Sequence, residues 1–269
     1  MEQSMVLEQV KEIRKTQPAI GTRKLYFMLQ PFLIEHEIKM GRDGLFNLLA
    51  AYEMLVRRRK RRVFTTQSHH WLRKYPNLIK CMEIMRPNQL WVADITYYKI
   101  APGYIYISLI TDAYSHKIVG YHLADNLEAA NNIKALEMAL NTLASKPCMF
   151  SLIHHSDRGI QYCSKDYVRL LESNHIAISM TEDGNPLENA IAERINGIVK
   201  QEYLTHYSIQ NKTEAMQVLS RAVAIYNQQR PHLSCNLSTP ENVHQNNLLT
   251  RKLWKNYYKK NKTVNLCQD

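Results

Sequence analysis

Apolar residues recur every three or four positions in two short stretches near the start of the chain. The first stretch follows Gly21 and the second begins near Gly41. Their apolar positions are Leu25, Met28, Leu29 and Phe32, and then Leu45, Leu48, Leu49 and Tyr52. This period is typical of amphipathic helices, and two short helices joined by a turn indicate a helix-turn-helix. Any small helical hairpin shows the same pattern, so the spacing alone does not assign DNA binding.

From residue 90 the pattern changes to short runs of strand-forming residues. The predicted strands are 90–98, 104–110, 117–123, 150–155 and 176–180, of which the second is almost entirely apolar and therefore central. The predicted helices are 126–144, 165–172, Pro186 to about Tyr203, and 214–226. Three hairpin-like strands followed by alternating helices and strands predict an α/β fold, a mixed sheet flanked by helices. The order of these elements is that of a ribonuclease-H-like domain.

The net charge of +11 is distributed unevenly along the chain. Residues 1–80 carry 16 basic and 7 acidic side chains, net +9, whereas residues 81–240 carry 13 and 15, net −2. Residues 241–269 carry 6 and 2, net +4. Basic flanks around a near-neutral centre indicate that a polyanion binds at the edges of the protein. Ordinary solubilising charge is the alternative interpretation.

A run of consecutive cations follows the second predicted helix. It consists of Arg57, Arg58, Arg59, Lys60, Arg61 and Arg62. Because these side chains repel one another, the run is predicted to be an exposed connector. It can serve as a solvated hinge or neutralise several phosphates, which would make DNA affinity depend on salt. We favour the phosphate contacts.

Several classes of protein are excluded by composition. No apolar run approaches the roughly 18 residues of a membrane span, and the charged first 20 residues lack the apolar core of a signal peptide. The cysteines are Cys81, Cys148, Cys163, Cys235 and Cys267. They are odd in number and widely spaced, so neither a disulfide framework nor a zinc ribbon is indicated. We therefore expect a soluble, cytoplasmic protein with no membrane partner.

Three acidic residues stand out by their positions. Asp94 lies inside the first predicted strand, where a carboxylate is costly to bury. Asp157 ends the fourth strand, and Glu193 follows it on a predicted helix with 35 residues between them. Each has an ordinary structural explanation, since a strand-end Asp often caps a turn and a helix Glu is usually solvated. Helix geometry places Glu193 on one face with Asn196 and Lys200, a face that either meets solvent or presents a carboxylate to a metal.

Two Asp and one Glu suit the hydrolysis of a phosphodiester. Two divalent ions about 4 Å apart can neutralise the phosphate, activate the nucleophile and stabilise the leaving oxygen. Mg²⁺ prefers oxygen ligands and keeps several waters, so a few carboxylates suffice. Without metal, clustered carboxylates repel one another, and the site is expected to be disordered or partly protonated.

The motifs around these acids resemble a known family. They read Trp91-x-x-Asp94-Ile95-Thr96, His155-Ser156-Asp157-Arg158-Gly159-x-Gln161-Tyr162, Glu188-Asn189-Ala190-x-x-Glu193-Arg194-x-Asn196-x-x-x-Lys200-x-Glu202, and Tyr226-Asn227-x-x-Arg230-Pro231-His232. This order and spacing resemble the D-D-E signature of retroviral-integrase-like transposases. Within that group, the chain resembles the catalytic second-frame protein (OrfB) of insertion sequences of the IS-three family, over about residues 18–242. Glu188 stands where the family commonly has Asp, which keeps a carboxylate.

The resemblance implies a metal-dependent polynucleotidyl transferase of ribonuclease-H-like fold. Asp94, Asp157 and Glu193 would be the catalytic residues and would bind two Mg²⁺ or Mn²⁺ ions. Water would cut a strand at an element end, and the released 3′-hydroxyl would attack a second phosphodiester without a covalent enzyme intermediate. The implied partners are element-end and target DNA, a companion first-frame protein (OrfA) or a frameshift fusion with it, and further copies of the chain. The implied location is the bacterial cytoplasm, at the nucleoid.

The predicted DNA contacts are basic residues in the front of the chain and near the acids. They are Arg23, Lys24, Arg42, the run from Arg57 to Arg62, Arg158, Lys200 and Arg230. His155 and His232 are further candidates, with a structural role for His155 at least as good an explanation. Arg230 and His232 have the alternative role of holding the last helix in place.

The predicted organisation has four parts. Residues 1–62 form a helix-turn-helix-like region with the basic run, 63–86 a linker, 87–245 the catalytic core and 246–269 a basic tail. Two other functions remain as alternatives: a general nuclease of the same fold, and a DNA-binding regulator without catalysis. The basic helical front and the Tyr226 to His232 motif argue against the nuclease, and the presence of all three acids argues against the regulator.

Overall fold

The computed structural model describes residues 2–56, 71–80, 82–101, 103–144, 151–182 and 189–250. The predicted basic run from Arg57 to Arg62 lies outside these residues, as do Pro186, Glu188 and the tail from 251 onward. None of the described helices is long and apolar enough to cross a membrane.

Three helices form the N-terminal part of the molecule: α1 (Glu2–Thr16), α2 (Thr22–Glu35) and α3 (Arg42–Ala51). The two predicted helices are confirmed as α2 and α3, each preceded by an extended glycine, Gly21 or Gly41. Sequence analysis did not predict α1. The helices enclose a small apolar core of their own, built from Val6, Val10, Leu25, Leu29, Leu45 and Leu49 among others.

A five-stranded mixed sheet forms the centre of the rest of the chain. Its strands are β1 (Leu90–Ile100), β2 (Gly103–Asp112), β3 (Ile118–Ala124), β4 (Ile153–Ser156) and β5 (Ala177–Met180), in the order β3-β2-β1-β4-β5. β1, β2 and β3 pair antiparallel, whereas β4 is parallel to both β1 and β5. The five predicted strands and the mixed sheet are therefore confirmed.

Helices cover both faces of the sheet. They are α4 (Ala129–Ala144), α5 (Lys165–Ser173), α6 (Ala190–Ile198), α7 (Lys212–Gln228) and α8 (Pro240–Asn246). α4 and α5 pack on the face that carries Trp91 and Ala93, and α6 and α7 pack on the opposite face. α4 approaches β3 so closely that a Cβ at Gly120 would lie 2.1 Å from the Ala135 carbonyl oxygen, so only glycine fits there.

The helix that carries Glu193 does not continue as a regular α-helix. After Ile198 it passes into a π turn, Val199–Tyr203, and then a short 3-10 turn, Leu204–His206. π turns are rare and are often found at functional sites. This one sets the directions of Lys200 and Glu202.

Candidate active site

Asp94 lies where β1 extends beyond its parallel neighbour. β4 pairs with β1 only from Leu90 to Val92, so the β4 side of β1 is covered beyond that point by side chains rather than by a strand. Two amides from the segment of α6 lie there. The Asn189 side chain donates to the Ala93 carbonyl oxygen at 3.0 Å, and the Asn196 side chain donates to Asp94 Oδ2 at 2.7 Å.

Asp157 follows β4 directly, and the strand register carries it to Asp94. Val92 pairs with His155, so continuing the parallel register by two residues places Asp157 beside Asp94. Asp157 Oδ1 accepts a hydrogen bond from the Gly159 N–H at 3.0 Å. A Cβ at Gly159 would lie 3.0 Å from the same oxygen, so a larger residue there would press on the Asp157 carboxylate.

Glu193 reaches the site from α6. Ala192 and Ile195 of this helix are buried against the sheet, while Glu193 itself is exposed in the first turn of the helix. The N-terminal end of a helix favours negative charge, so this position suits a carboxylate.

The three acids interact electrostatically. Burial raises the pKa of Asp94 to about 7, and the negative charges of Asp157 and Glu193 add to the rise. The hydrogen bond from Asn196 acts in the opposite direction because it stabilises the charged carboxylate. Three segments distant in sequence therefore bring their carboxyl groups to one region.

The surroundings fit a hydrated divalent cation. All three acids offer oxygen, the donor that Mg²⁺ and Mn²⁺ prefer, and an ion would offset their repulsion. Two buried side-chain oxygens beside them, Asn189 Oδ1 and Asn196 Oδ1, have no hydrogen-bond partner among the described residues. Metal-bound water could donate to such atoms. No choice of one oxygen from each acid brings all three within 4.8 Å of one another.

The pKa of Asp94 gives a test of this electrostatic crowding. A carboxyl with a pKa of about 7 in the native state and 3.8 unfolded binds more protons when folded, so its contribution to stability falls as pH rises from about 4 to 7. We expect Asp94→Asn to stabilise the protein in EDTA at pH 8, by roughly 4 kcal/mol at most, and by less at pH 5. Thermal unfolding at both pH values measures this difference. An equal effect at pH 5 and pH 8 would show that Asp94 does not titrate in this range.

The predicted DNA contacts occupy different environments. Lys200 is partly buried with its Nζ 5.4 Å from the centre of the Tyr97 ring. Burial lowers its pKa, and the negative charge of Asp94 acts in the opposite direction. Arg158 is partly buried, whereas Arg23 on α2 and Arg42 on α3 are exposed. These four remain candidates for contacts with phosphate.

Two predicted DNA contacts are wrong in this structure. Arg230 is 1% exposed, and its Nε and Nη2 donate to the two carboxylate oxygens of Glu202, each at 2.8 Å. Lys24 is also largely buried, with its Nζ 3.7 Å from Glu202 Oε1. Both charges are directed at one internal carboxylate, so neither side chain faces a DNA surface. Of the two roles considered for Arg230, the structure assigns the internal one.

The two histidines considered as DNA contacts are structural. His155 is fully buried, and its Nδ1 lies 2.8 Å from Ser179 Oγ. His232 is 7% exposed, caps a short turn by accepting from the Ser234 N–H, and stacks on His116 with ring centres 4.6 Å apart. Burial lowers the pKa of His232, so the ring stays neutral.

His116, His232 and Cys235 bring three ligand-type atoms within 4.8 Å of one another. Their contacts nevertheless favour packing over metal binding. The two rings are nearly parallel, so a single ion cannot lie in both ring planes. The Cys235 thiol donates to the Ser115 carbonyl oxygen, and burial raises its pKa to about 12. Packing of these three side chains holds the Tyr226 to His232 motif against the turn between β2 and β3.

Sequence reasoning missed part of the site. The helical period places Asn196 on the face of Glu193, but it does not show that the Asn196 amide holds Asp94. Asn189 stands out in the sequence only as part of a motif. The signal that could have found both is the pair of amides at helical spacing around Glu193, since amides buried beside a carboxylate usually bind it.

Comparisons with known proteins agree with this geometry. Residues 85–186 match the family model described as Integrase core domain, and residues 174–240 match a second model of the same description. The chain is 38% identical over 220 residues to the insertion element IS600 uncharacterized 31 kDa protein of Shigella sonnei, covering 81% of this chain and 78% of that one. It is 31% identical over 210 residues to the transposase for insertion sequence element IS629 of Shigella sonnei, covering 78% and 68%.

A solved structure shows the same fold. The cryoEM structure of the simian T-cell lymphotropic virus intasome in complex with PP2A regulatory subunit B56 gamma matches with a TM-score of 0.52 and 17% identity. The match covers 87% of this chain and 74% of that one. Together with the mixed sheet, it confirms the predicted ribonuclease-H-like α/β arrangement.

Proposed function

Because the chain belongs to the integrase-core transposases of insertion sequences, of the IS3 type, we propose that Asp94, Asp157 and Glu193 are its catalytic carboxylates. Enzymes of this family cleave DNA and transfer its strands in transposition. The observation that supports the assignment is the parallel register of β1 and β4, which carries Asp157 to Asp94, and the charges of Asp157 and Glu193 both add to the raised pKa of Asp94.

The family depends on divalent metal, and we propose that these acids hold two Mg²⁺ or Mn²⁺ ions. When bound, the ions supply an activated nucleophile and stabilise the leaving oxygen. Asn196 fixes Asp94 by its 2.7 Å hydrogen bond, which keeps one carboxylate oxygen occupied and orients the other. Lys200 interacts electrostatically with Asp94, and its ammonium group could bind a phosphate beside the acids.

The proposed reaction has two displacements at phosphorus. Water attacks a phosphodiester at the element end, the P–O3′ bond breaks, and the 3′ oxygen leaves as a hydroxyl after taking a proton. That hydroxyl then attacks a second phosphodiester, forming a new P–O3′ bond and releasing another 3′-hydroxyl. No residue of the chain becomes covalently attached, so the acids act only by holding and orienting.

The proposed partners are element-end and target DNA, the companion first-frame protein or a fusion with it, and further copies of the chain on DNA. A bacterial cytoplasm, at the nucleoid, is the proposed location. The proposed organisation keeps the predicted boundaries: a DNA-binding front at 1–62, a linker at 63–86, the core at 87–245 and a basic tail at 246–269.

Strand joining on DNA that carries the two ends of the protein's own element tests this function. We expect joined products from the full-length protein, with its companion protein added, in Mg²⁺ and none in EDTA. A protein that binds these ends but joins nothing in either condition would be a regulator rather than a transposase.

The basic run from Arg57 to Arg62 gives a separate test of DNA binding. We expect replacement of all six cations with Gln to weaken binding and to flatten its salt dependence, by about 0.9 in the log–log slope for each phosphate that the run neutralises. Titrating labelled DNA at several salt concentrations gives the slope. Replacing the exposed Lys134 and Lys165 is the control, with no change of slope expected. An unaltered slope for the six-residue variant would remove the run from the interface.

A further inference from the structure

Tyr162 lies in the turn that follows Asp157, and its ring is buried. The side chain is 3% exposed and packs edge-on against Tyr167, with ring centres 5.5 Å apart. Its hydroxyl has no hydrogen-bond partner among the described residues. Leaving a buried hydroxyl unbonded is unfavourable, because the group has lost its water without gaining a protein partner.

The ring of Tyr162 lies against the same turn as the Asp157 carboxylate. A Cβ at Gly159 would be 3.0 Å from Asp157 Oδ1 and 3.6 Å from Tyr162 Cδ2. Burial raises the pKa of Tyr162, and after the influence of Tyr167 the charges of Asp157 and Asp94 add to the rise. The ring therefore lies beside the turn that carries Asp157, and its hydroxyl is a buried donor without a partner among the described residues.

The neighbouring Tyr167 shows the ordinary arrangement for a buried tyrosine. It is 1% exposed, and its hydroxyl lies 2.9 Å from His154 Nε2. The two tyrosines share one cluster of apolar side chains. They differ in that the Tyr167 hydroxyl is bonded, whereas the Tyr162 hydroxyl has no partner among the described residues and belongs to the turn that follows Asp157.

We propose that Tyr162 is a positioning residue, whose hydroxyl donates a hydrogen bond to the Asp157 carboxylate when that carboxylate holds a divalent cation. The inference rests on the proposed function, since it takes Asp157 to be a metal ligand. A carboxylate that binds a cation through one oxygen keeps lone pairs for such a donor, and outer hydrogen bonds of this kind orient metal ligands. The hydroxyl, which has no partner among the described residues, would then gain one in the loaded site.

Two matched substitutions in the full-length protein test this role. We expect Tyr162→Phe to raise Tm by about 2–4 °C in EDTA, because it removes an unbonded polar group. The same change should weaken Mn²⁺ binding about tenfold, measured by calorimetry or by the electron paramagnetic resonance of free Mn²⁺. Tyr167→Phe removes a bonded hydroxyl, so we expect a lower Tm and unchanged Mn²⁺ affinity.

The outcomes separate this proposal from the function it rests on. Unchanged Mn²⁺ affinity in Tyr162→Phe, or a lower Tm in EDTA, overturns the role of Tyr162 alone. If wild-type protein binds no Mn²⁺, or if Asp157→Asn binds it as tightly as wild type, the assignment of the acids fails instead. Weaker Mn²⁺ binding in both Tyr162→Phe and Tyr167→Phe would mean that the cluster as a whole, and not the Tyr162 hydroxyl, supports the site.

Discussion

We expect Asp157→Asn to reduce strand cleavage and joining at least about a thousandfold while DNA binding stays within about twofold of wild type. The substitution preserves the size of the side chain. Asn can still accept the Gly159 N–H through its oxygen, so the turn after β4 is expected to keep its shape. The variant lacks the negative charge that would hold a cation, and with it several kcal/mol of stabilisation of the transition state.

Asp166→Asn is the matched control for this prediction. Asp166 lies in the first turn of α5, and its side chain is 79% exposed beside Arg169. We expect it to cleave and join DNA at the wild-type rate. The measurements are the rate of joined product on element-end DNA and a binding titration with the same DNA. Joining by Asp157→Asn at a rate close to that of Asp166→Asn would exclude Asp157 from catalysis.

The second large effect concerns stability. We expect Glu202→Gln to lower the free energy of unfolding by about 3–5 kcal/mol, because the buried Arg230 loses the charge to which it is bonded twice. The corresponding fall in Tm is about 10 °C. Lys24 loses its partner as well, although its distance to Glu202 is longer. Thermal and urea unfolding measure the change.

Two further variants distinguish an unpaired charge from a general defect. Glu137→Gln alters an exposed glutamate on α4 and is expected to leave Tm within about 1 °C. The double variant Glu202→Gln/Arg230→Met removes both charges, and we expect it to recover part of the stability. A double variant no more stable than Glu202→Gln would show that the ion pair is not the source of the effect.

Much of the fold was predictable because the spacing of apolar residues in the sequence follows the periods of strands and helices. The α/β order, all five strands and the unusual position of Asp94 inside a strand followed from local pattern. Register and burial did not, because they depend on partners far along the chain. The spacing of motifs suggested that Asp94 and Asp157 meet, but only the parallel pairing of Val92 with His155 shows how.

The interpretations of Arg230 and Lys24 as DNA contacts share one physical cause. Arg230 and Lys24 look like ordinary basic residues, and what makes them internal is Glu202, which lies 28 residues from Arg230 and on a π turn. A helical wheel assumes a constant angle per residue, so it cannot place side chains beyond Ile198. The first helix was missed for a different reason, since its buried residues Val6, Leu7 and Val10 are few among many charged ones.

The attachment of the N-terminal helices to the core limits how such an enzyme can be retargeted. Gln17 donates to the Gln229 carbonyl oxygen at 3.4 Å, and Lys24 Nζ lies 3.7 Å from Glu202 Oε1. Glu202 lies on the π turn that continues the helix carrying Glu193, so this seam, the pair of contacts between the N-terminal helices and the core, involves that turn. A chimera that exchanges the front of the chain for that of a relative must therefore match this seam. Without both side chains, the imported front would lose two contacts that join these helices to the core.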